Sequence, residues 1–362
     1  MPSVGIITFL HNENYGSTLQ AYALQTLLRQ EGYEACHIDY RPSSRQKLRN
    51  LLRSGNSPSL LLDGVRKRLV KRGEQGARAK AASFGAFYRE HMALTPPCPD
   101  PDALRKEADR FDLLLCGSDQ IWSPVWLDPA YFFDWARPGQ PRVAYAPSLG
   151  VSRMPSARKA EKLRRLIAPF SSLSVREEEG AALLRPLTDR PVAVLPDPVC
   201  LLTREDWRRL ARPYAHQGPY IAVYLIGDRE SYRERVEAVS RETGLPVVII
   251  PVTAAAYAWP YEKASGLSPE GWLGVLDGAA RVITDSFHGA LFSLILGKEL
   301  TLLRRYREDD PASKNSRVDN LFRQLGITDP DAVDRERVDL RLAALREQGV
   351  TWLLDALRRA AP

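Results

Sequence analysis

Asp285, Ser286 and His288 form a polar turn set in apolar sequence. Before them Arg281–Thr284, RVIT, is a short β-branched run that reads as a buried strand. After them Gly289–Leu296 is almost wholly apolar and reads as a helix packed on a sheet. In an open α/β sheet, ligands bind beyond the carboxyl ends of the strands. A helix start in that place offers unpaired N–H groups and a positive dipole end, which suit phosphate or carboxylate. His288 is a side-chain type that gains and loses a proton near neutral pH. Gly289 lets the main chain come close to a ligand. Ser and Asp are also ordinary helix caps, so the same turn fits a site without a ligand, and Asp285 reads more readily as a cap than as a base.

The elements around this turn alternate. Ser3–Phe9 reads as a strand, and His11–Ser17 as a polar loop containing Asn14, Tyr15 and Gly16. Leu19–Gln30 follows as a helix and Glu34–Tyr40 as a second strand, a βαβ opening of a Rossmann-like domain. The loop is not GxGxxG, so the dinucleotide fingerprint is missing. Further strands are expected at Phe111–Cys116, Arg142–Pro147, Ser172–Val175 and Val192–Leu195. Each opens onto a polar or proline-rich loop. Leu202–Gly218 reads as a linker. The alternation then resumes with strands at Tyr220–Leu225, Pro246–Pro251, Arg281–Thr284 and Leu300–Leu303. The simplest architecture is α/β: two Rossmann-like domains with a central cleft, at 1–205 and 218–335. Residues 336–362 form a terminal helix expected to pack back on the first domain. An insertion at about 41–92 reads as amphipathic basic helices.

Charge is uneven. The chain carries a net +7, yet from Arg41 to Lys80 twelve Lys or Arg face only Asp63 and Glu74, so the rest is slightly acidic. No aromatic-interleaved basic module accompanies this stretch, which argues against nucleic acid. It suits a solvated helical face or attraction to an anionic membrane or lipid phosphate. Cys36, Cys98, Cys116 and Cys200 are far apart without a CxxC pair, which supports neither a zinc site nor a disulfide framework. No apolar run reaches membrane-spanning length and no secretion signal is visible, so a cytoplasmic protein is expected, peripheral at most to the inner face of the plasma membrane.

Seven motifs occur in order. They are Asn14-Tyr15-Gly16 with the helix LQAYALQ, Gly117-Ser118-Asp119-Gln120-Ile121-Trp122, Tyr145–Gly150, Ser174–Glu177, Leu195–Pro198, Thr284–Gly289, and Ser316-Arg317 with Leu321 and Leu325. With them the chain resembles the polysaccharide pyruvyl transferase family over most of its length. Pro147 departs from the small residue more usual there. The resemblance implies a fold like the GT-B glycosyltransferases. It implies transfer of the carboxyvinyl group of phosphoenolpyruvate to two hydroxyls of one sugar, giving a pyruvate ketal and phosphate. It also carries the donor's basic residues onto Arg176 and His288.

The residues fit such chemistry. A donor with phosphate and carboxylate wants a guanidinium fork and helix-start amides. Donor contacts are therefore expected at Arg176, Ser286, Phe287, His288 and Gly289, with Lys314 and Arg317 of the KNSR segment. Arg176 has an alternative role as an ion-pair partner of Glu177–Glu179. His288 is the expected proton carrier, and Asp119 and Asp285 are candidate bases for the attacking hydroxyls. Asn14, Tyr15, Gly16, Ser118, Asp119, Gln120 and Trp122 are expected on the acceptor side, Trp122 fitting a core position equally well. No arrangement of carboxylates or histidines suggests a metal, and no cofactor is expected beyond phosphoenolpyruvate as substrate. The competing readings are a glycosyltransferase using a nucleotide sugar, and a non-catalytic membrane-associated protein of polysaccharide assembly.

Overall fold

The computed structural model describes residues 1–54, 77–305, 316–329 and 333–360. The middle of the basic stretch and Lys314 lie outside the described residues, while Ser44–Ser54 and Ala77–His91 are helices. The chain forms two compact units. The first comprises Met1–Lys71, Tyr88–Leu201 and Leu345–Pro362, the second Arg72–Phe87 and Leu202–Ala344.

In the first unit β1 (Ser3–Ile7), β2 (Glu34–His37), β3 (Leu113–Cys116) and β4 (Arg142–Ala144) form a parallel sheet in the order β2-β1-β3-β4. A parallel bridge from Val143 to Ser172 leads to β5 (Leu173–Val175), which pairs in parallel with β6 (Val192–Val194). All four residues of β3, Leu-Leu-Leu-Cys, are buried, as expected of a parallel strand covered on both faces. The helix Tyr15–Gln30 starts at Asn14, whose side chain accepts from Ser17 N, and buries Leu19, Ala23, Leu24, Leu27 and Leu28. The end of the helix Arg335–Ala360 belongs to this unit, with Arg346 Nε donating to Leu201 O at 3.0 Å.

In the second unit β7 (Ile221–Tyr224), β8 (Val247–Ile249), β9 (Glu262–Lys263), β10 (Arg281–Thr284) and β11 (Glu299–Leu302) run parallel in the order β11-β10-β7-β8-β9. The stretch expected as a linker is instead part of this unit. Thr203 and Asp206 form a capping box at the start of the helix Arg204–Leu210. Trp207 of that helix is fully buried, edge-on to Phe292 at 4.9 Å. Trp272 meets the same ring at 5.4 Å, so three aromatics anchor the helices Arg204–Leu210, Pro269–Gly278 and Phe287–Ile295 to one another. The four cysteines are free thiols.

Candidate active site

In each sheet the strand order reverses direction once, and the crevice at that reversal is where α/β sheets bind ligands. In the first unit it falls between β1 and β3. The loops after these strands are tied by a closed set of neutral hydrogen bonds. Gln20 Nε2 donates to Thr8 Oγ1 at 3.1 Å, Thr8 Oγ1 donates to Ser118 O at 3.0 Å, and Ser118 N donates back to Gln20 Oε1 at 2.9 Å. Gly117 is obligatory: its φ is +130°, and a Cβ there would lie 1.9 Å from Tyr145 O. Strain gathers at the same edge. His11 (φ 56°), Asp119 (φ 62°) and Ala146 (φ 49°) adopt left-handed backbone after β1, β3 and β4. Such conformations cost about 1–3 kcal/mol each and concentrate at functional sites.

Arg176 follows β5. Its side chain is 3% exposed. Nε donates to Glu177 Oε1 at 2.9 Å and Nη1 to Asp197 Oδ2 at 2.6 Å. Burial pushes its pKa down, but the charges of Glu177, Asp197 and then Asp119 more than offset this and raise it. The guanidinium expected to hold the donor is thus enclosed by carboxylates of its own unit, as in the alternative ion-pair reading. It locks the loops after β5 and β6 together. Asp197 lies in the Leu195–Pro198 motif, and nothing in the sequence marks its pairing with Arg176 across 21 residues.

The acceptor candidates separate. Asn14 is exposed and Asp119 half-buried, both at the carboxyl edge. Gly16 and Gln120 are buried beside them. Trp122 is a core residue, which corrects its expected place on the acceptor. It is fully buried, stacked on Phe132 at 4.9 Å and edge-on to Phe170 at 5.3 Å, so no indole face is open to a sugar. Ser118 and Tyr15 are likewise enclosed, Ser118 Oγ donating to Ala146 O at 2.5 Å. They shape the loops and do not face a ligand.

In the second unit the reversal falls between β7 and β10, at Asp285–His288. The cap of the helix Phe287–Ile295 is Ser286, not Asp285: Gly289 N donates to Ser286 Oγ at 3.3 Å. Ser286 N donates to Thr284 Oγ1 at 3.1 Å, so two of the amides expected for an anion are already used. Gly289 is needed for another reason than ligand approach, because a Cβ there would lie 2.4 Å from Thr284 Oγ1. Asp285 points back to the loop after β7. Its carboxylate accepts from Ile226 N (2.7 Å), Gly227 N (2.8 Å), Tyr232 Oη (3.1 Å) and Arg305 Nε (3.1 Å), and Arg305 Nη2 also reaches Asp285 O at 3.1 Å. Four donors fill the lone-pair sites of a carboxylate, which removes Asp285 as a general base. Arg305, 22% exposed, was not legible beforehand, since it is one of 51 Lys and Arg with no motif around it. His288 is half-buried, its ring edge-on to Phe287 at 5.0 Å. Arg317 is half-buried in the first turn of the helix Ser316–Leu325.

Among the described residues no group of three or more His, Cys, Asp or Glu is placed to hold a metal ion, and no helix is long and apolar enough to cross a membrane.

Solved structures resemble the chain in fold. A UDP-GlcNAc 2-epimerase from Neisseria meningitidis, bound to UDP-GlcNAc, matches with a TM-score of 0.53 at 11% identity, over 99% of this chain and 100% of that one. A candidate UDP-N-acetylglucosamine 2-epimerase from Listeria monocytogenes gives 0.51 at 9% identity, over 98% and 94%. A heptosyltransferase from E. coli gives 0.42 at 12%, over 87% and 91%. The class is therefore two-unit Rossmann-like α/β of the GT-B kind. No curated protein matches the chain. A family model described as polysaccharide pyruvyl transferase matches residues 14–305, and the chain belongs to that family of enzymes.

Proposed function

We propose that the protein moves the carboxyvinyl group of phosphoenolpyruvate onto two hydroxyls of one sugar, in a polysaccharide or its lipid-linked precursor. One hydroxyl gives up its proton as its oxygen bonds to the enol carbon, whose π pair moves to the methylene carbon, which takes a proton and becomes methyl. Phosphate then leaves and the second hydroxyl closes the ketal, its proton departing with phosphate or solvent. His288 is the group that carries the proton to the methylene carbon. No further cofactor is needed, because the donor brings its own leaving group.

The observation that carries this reading, beside the family, is the opposite charge arrangement of the two carboxyl edges. At the second unit's edge Asp285 is surrounded by donors, with Arg305 and His288 beside the helix start. That setting suits a donor bearing phosphate and carboxylate. At the first unit's edge Arg176 is outnumbered by Glu177, Asp197 and Asp119. That setting repels an anionic donor and suits a neutral, hydroxyl-rich acceptor, with Asn14, Asp119 and Gln120 as its polar contacts. Arg176 is a positioning residue in this scheme. The positive excess between Arg41 and Lys80 suits a lipid-phosphate-linked acceptor at an anionic cytoplasmic membrane face.

The test is donor choice. Full-length protein is incubated with methyl hexosides and either phosphoenolpyruvate or nucleotide sugars, and released phosphate or nucleotide is measured. Phosphate release with an added ketal by mass spectrometry is expected, and release of nucleotide alone overturns the reading in favour of a glycosyltransferase. His288→Ala should melt as wild type does and lose about 10²–10⁴-fold in turnover, the usual worth of a positioned acid–base group.

A further inference from the structure

Outside the residues already given roles, one titratable pair sits at the first unit's carboxyl edge. His11 Nε2 lies 2.9 Å from Asp39 Oδ1. Asp39, just after β2, is 1% exposed and also binds Arg41, whose Nε reaches Oδ1 at 2.8 Å and whose Nη2 reaches Oδ2 at 2.6 Å. Two separate segments touch the imidazole, the loop after β2 through Asp39 and the helix Ala77–His91 through Tyr88. Beyond Asp39, His11 N donates to Tyr88 Oη at 3.0 Å and the two rings sit 4.6 Å apart. Tyr88 Oη in turn meets Thr18 Oγ1 at 3.0 Å. His11 holds left-handed backbone (φ 56°), as does Glu13 in the same loop (φ 51°).

The geometry fixes the tautomer. A carboxylate only accepts, so Nε2 carries the hydrogen that faces Asp39, and Nδ1 is the nitrogen through which the neutral ring would take a proton. Among the described residues Nδ1 has no hydrogen-bond partner, and the side chain is 27% exposed. A histidine oriented by a buried carboxylate, with its second nitrogen open, is the arrangement of a general base.

We propose that His11 is the base that takes the proton from the attacking acceptor hydroxyl, and that Asp39 is its positioning residue. The hydroxyl O–H bond breaks, the proton passes to Nδ1, and the oxygen's electron pair forms the bond to the donor carbon as that carbon releases a pair, its π pair to the methylene carbon of a carboxyvinyl donor or its bond pair to the leaving group of a glycosyl donor. The imidazolium returns its proton to the departing phosphate or to water. The titratable and charged groups that face it are Asp39, which also binds Arg41, and the Tyr88 phenol on the helix Ala77–His91. The assignment rests on a sugar hydroxyl as acceptor but not on the donor, since a hydroxyl must lose its proton to either donor.

The test compares His11→Gln, His11→Ala and Asp39→Asn with wild type in full-length protein, using methyl hexosides and whichever donor wild type consumes. His11→Gln should lower kcat by about 10²–10⁴-fold, with the donor KM and the melting temperature unchanged. The acid limb of the kcat/KM profile, which reports protonation of the base, should disappear with it. Added imidazole should restore part of the His11→Ala activity, and Asp39→Asn should lower kcat by about tenfold or more with the same donor KM. Turnover of His11→Gln within about threefold of wild type, or an acid limb left in place, overturns the proposal. If wild type releases nucleotide rather than phosphate, the pyruvyl donor reading falls alone and His11 is judged by the same ratios.

Discussion

Arg176 and Asp285 are the charged centres of the two units, and they are inverses. Arg176 is a buried cation clasped by two carboxylates. Asp285 is a buried anion clasped by two backbone amides, a phenol and a guanidinium. Both tie neighbouring loops at the carboxyl edge of a parallel sheet. The difference lies in what each leaves over. Neutralising Arg176 takes two full negative charges, so its edge stays acidic. Neutralising Asp285 uses mostly dipoles, so Arg305 leaves its edge closer to balance. The second edge is therefore the less acidic of the two, although each centre by itself is only a structural lock.

The largest effect should come from breaking the first lock. Arg176→Met leaves Glu177 and Asp197 buried without their cation, and removing one member of a buried pair costs about 3–5 kcal/mol. Urea unfolding should show that loss, and adding Asp197→Asn should recover part of it. A cost within about 1 kcal/mol would mean that the carboxylates find other donors and that the lock is not one.

A third buried group sharpens the contrast by staying neutral. His37, in β2, is fully enclosed with Nε2 on Ala21 O at 3.0 Å. Burial pushes its pKa down from 6.5 to about 4. Its folded pKa is thus below its unfolded one, so between those values the unfolded chain binds more protons and stability falls as pH falls. The shift of roughly 2.5 units corresponds to about 3 kcal/mol, present above pH ~6.5 and lost progressively toward pH ~4. A pH series of unfolding free energies, repeated on His37→Gln, checks this: the variant should lose that part of the acid sensitivity.

The sequence made the strands and their order of use plain, because buried parallel strands such as Leu113–Cys116 and Arg281–Thr284 are short apolar runs ending in polar loops. It placed His288 at the start of the helix after such a strand for the same reason. It did not show Arg305, His11 or Asp39, whose partners are 20 to 28 residues away and set by strand order rather than spacing. Trp122 and Trp207 misled in the same way. An indole in a polar loop motif proved to be core, and an indole in a presumed linker proved to be core as well, since large aromatics bury wherever a helix or turn can bring them inward. Asp285 was misjudged because a cap is a local solution, whereas its actual partners lie across the sheet on β7's loop.

Asp285→Asn should give the smallest stability change and the most informative kinetics. The amide keeps one acceptor for Ile226 N or Gly227 N but turns a donor toward the other, leaving one buried group unmatched at a cost of about 1–3 kcal/mol. Arg305 is partly exposed and can hydrate when its partner is gone, so the cost stays below that of Arg176→Met. The substitution also removes a negative charge beside the helix start. Phosphoenolpyruvate should then bind at least as tightly, measured by calorimetry on the full chain. The Asp285–His288 turn, however, loses its tether to the loop after β7, and His288 with it loses its fixed position. Turnover should fall by about 10- to 100-fold, the range a displacement near 1 Å can cause. Tighter donor binding with slower turnover would separate the electrostatic part of this centre from its positioning part. Weaker binding with unchanged turnover would mean that Asp285 holds the donor subsite together rather than the proton carrier, and would reverse the roles assigned to the two locks.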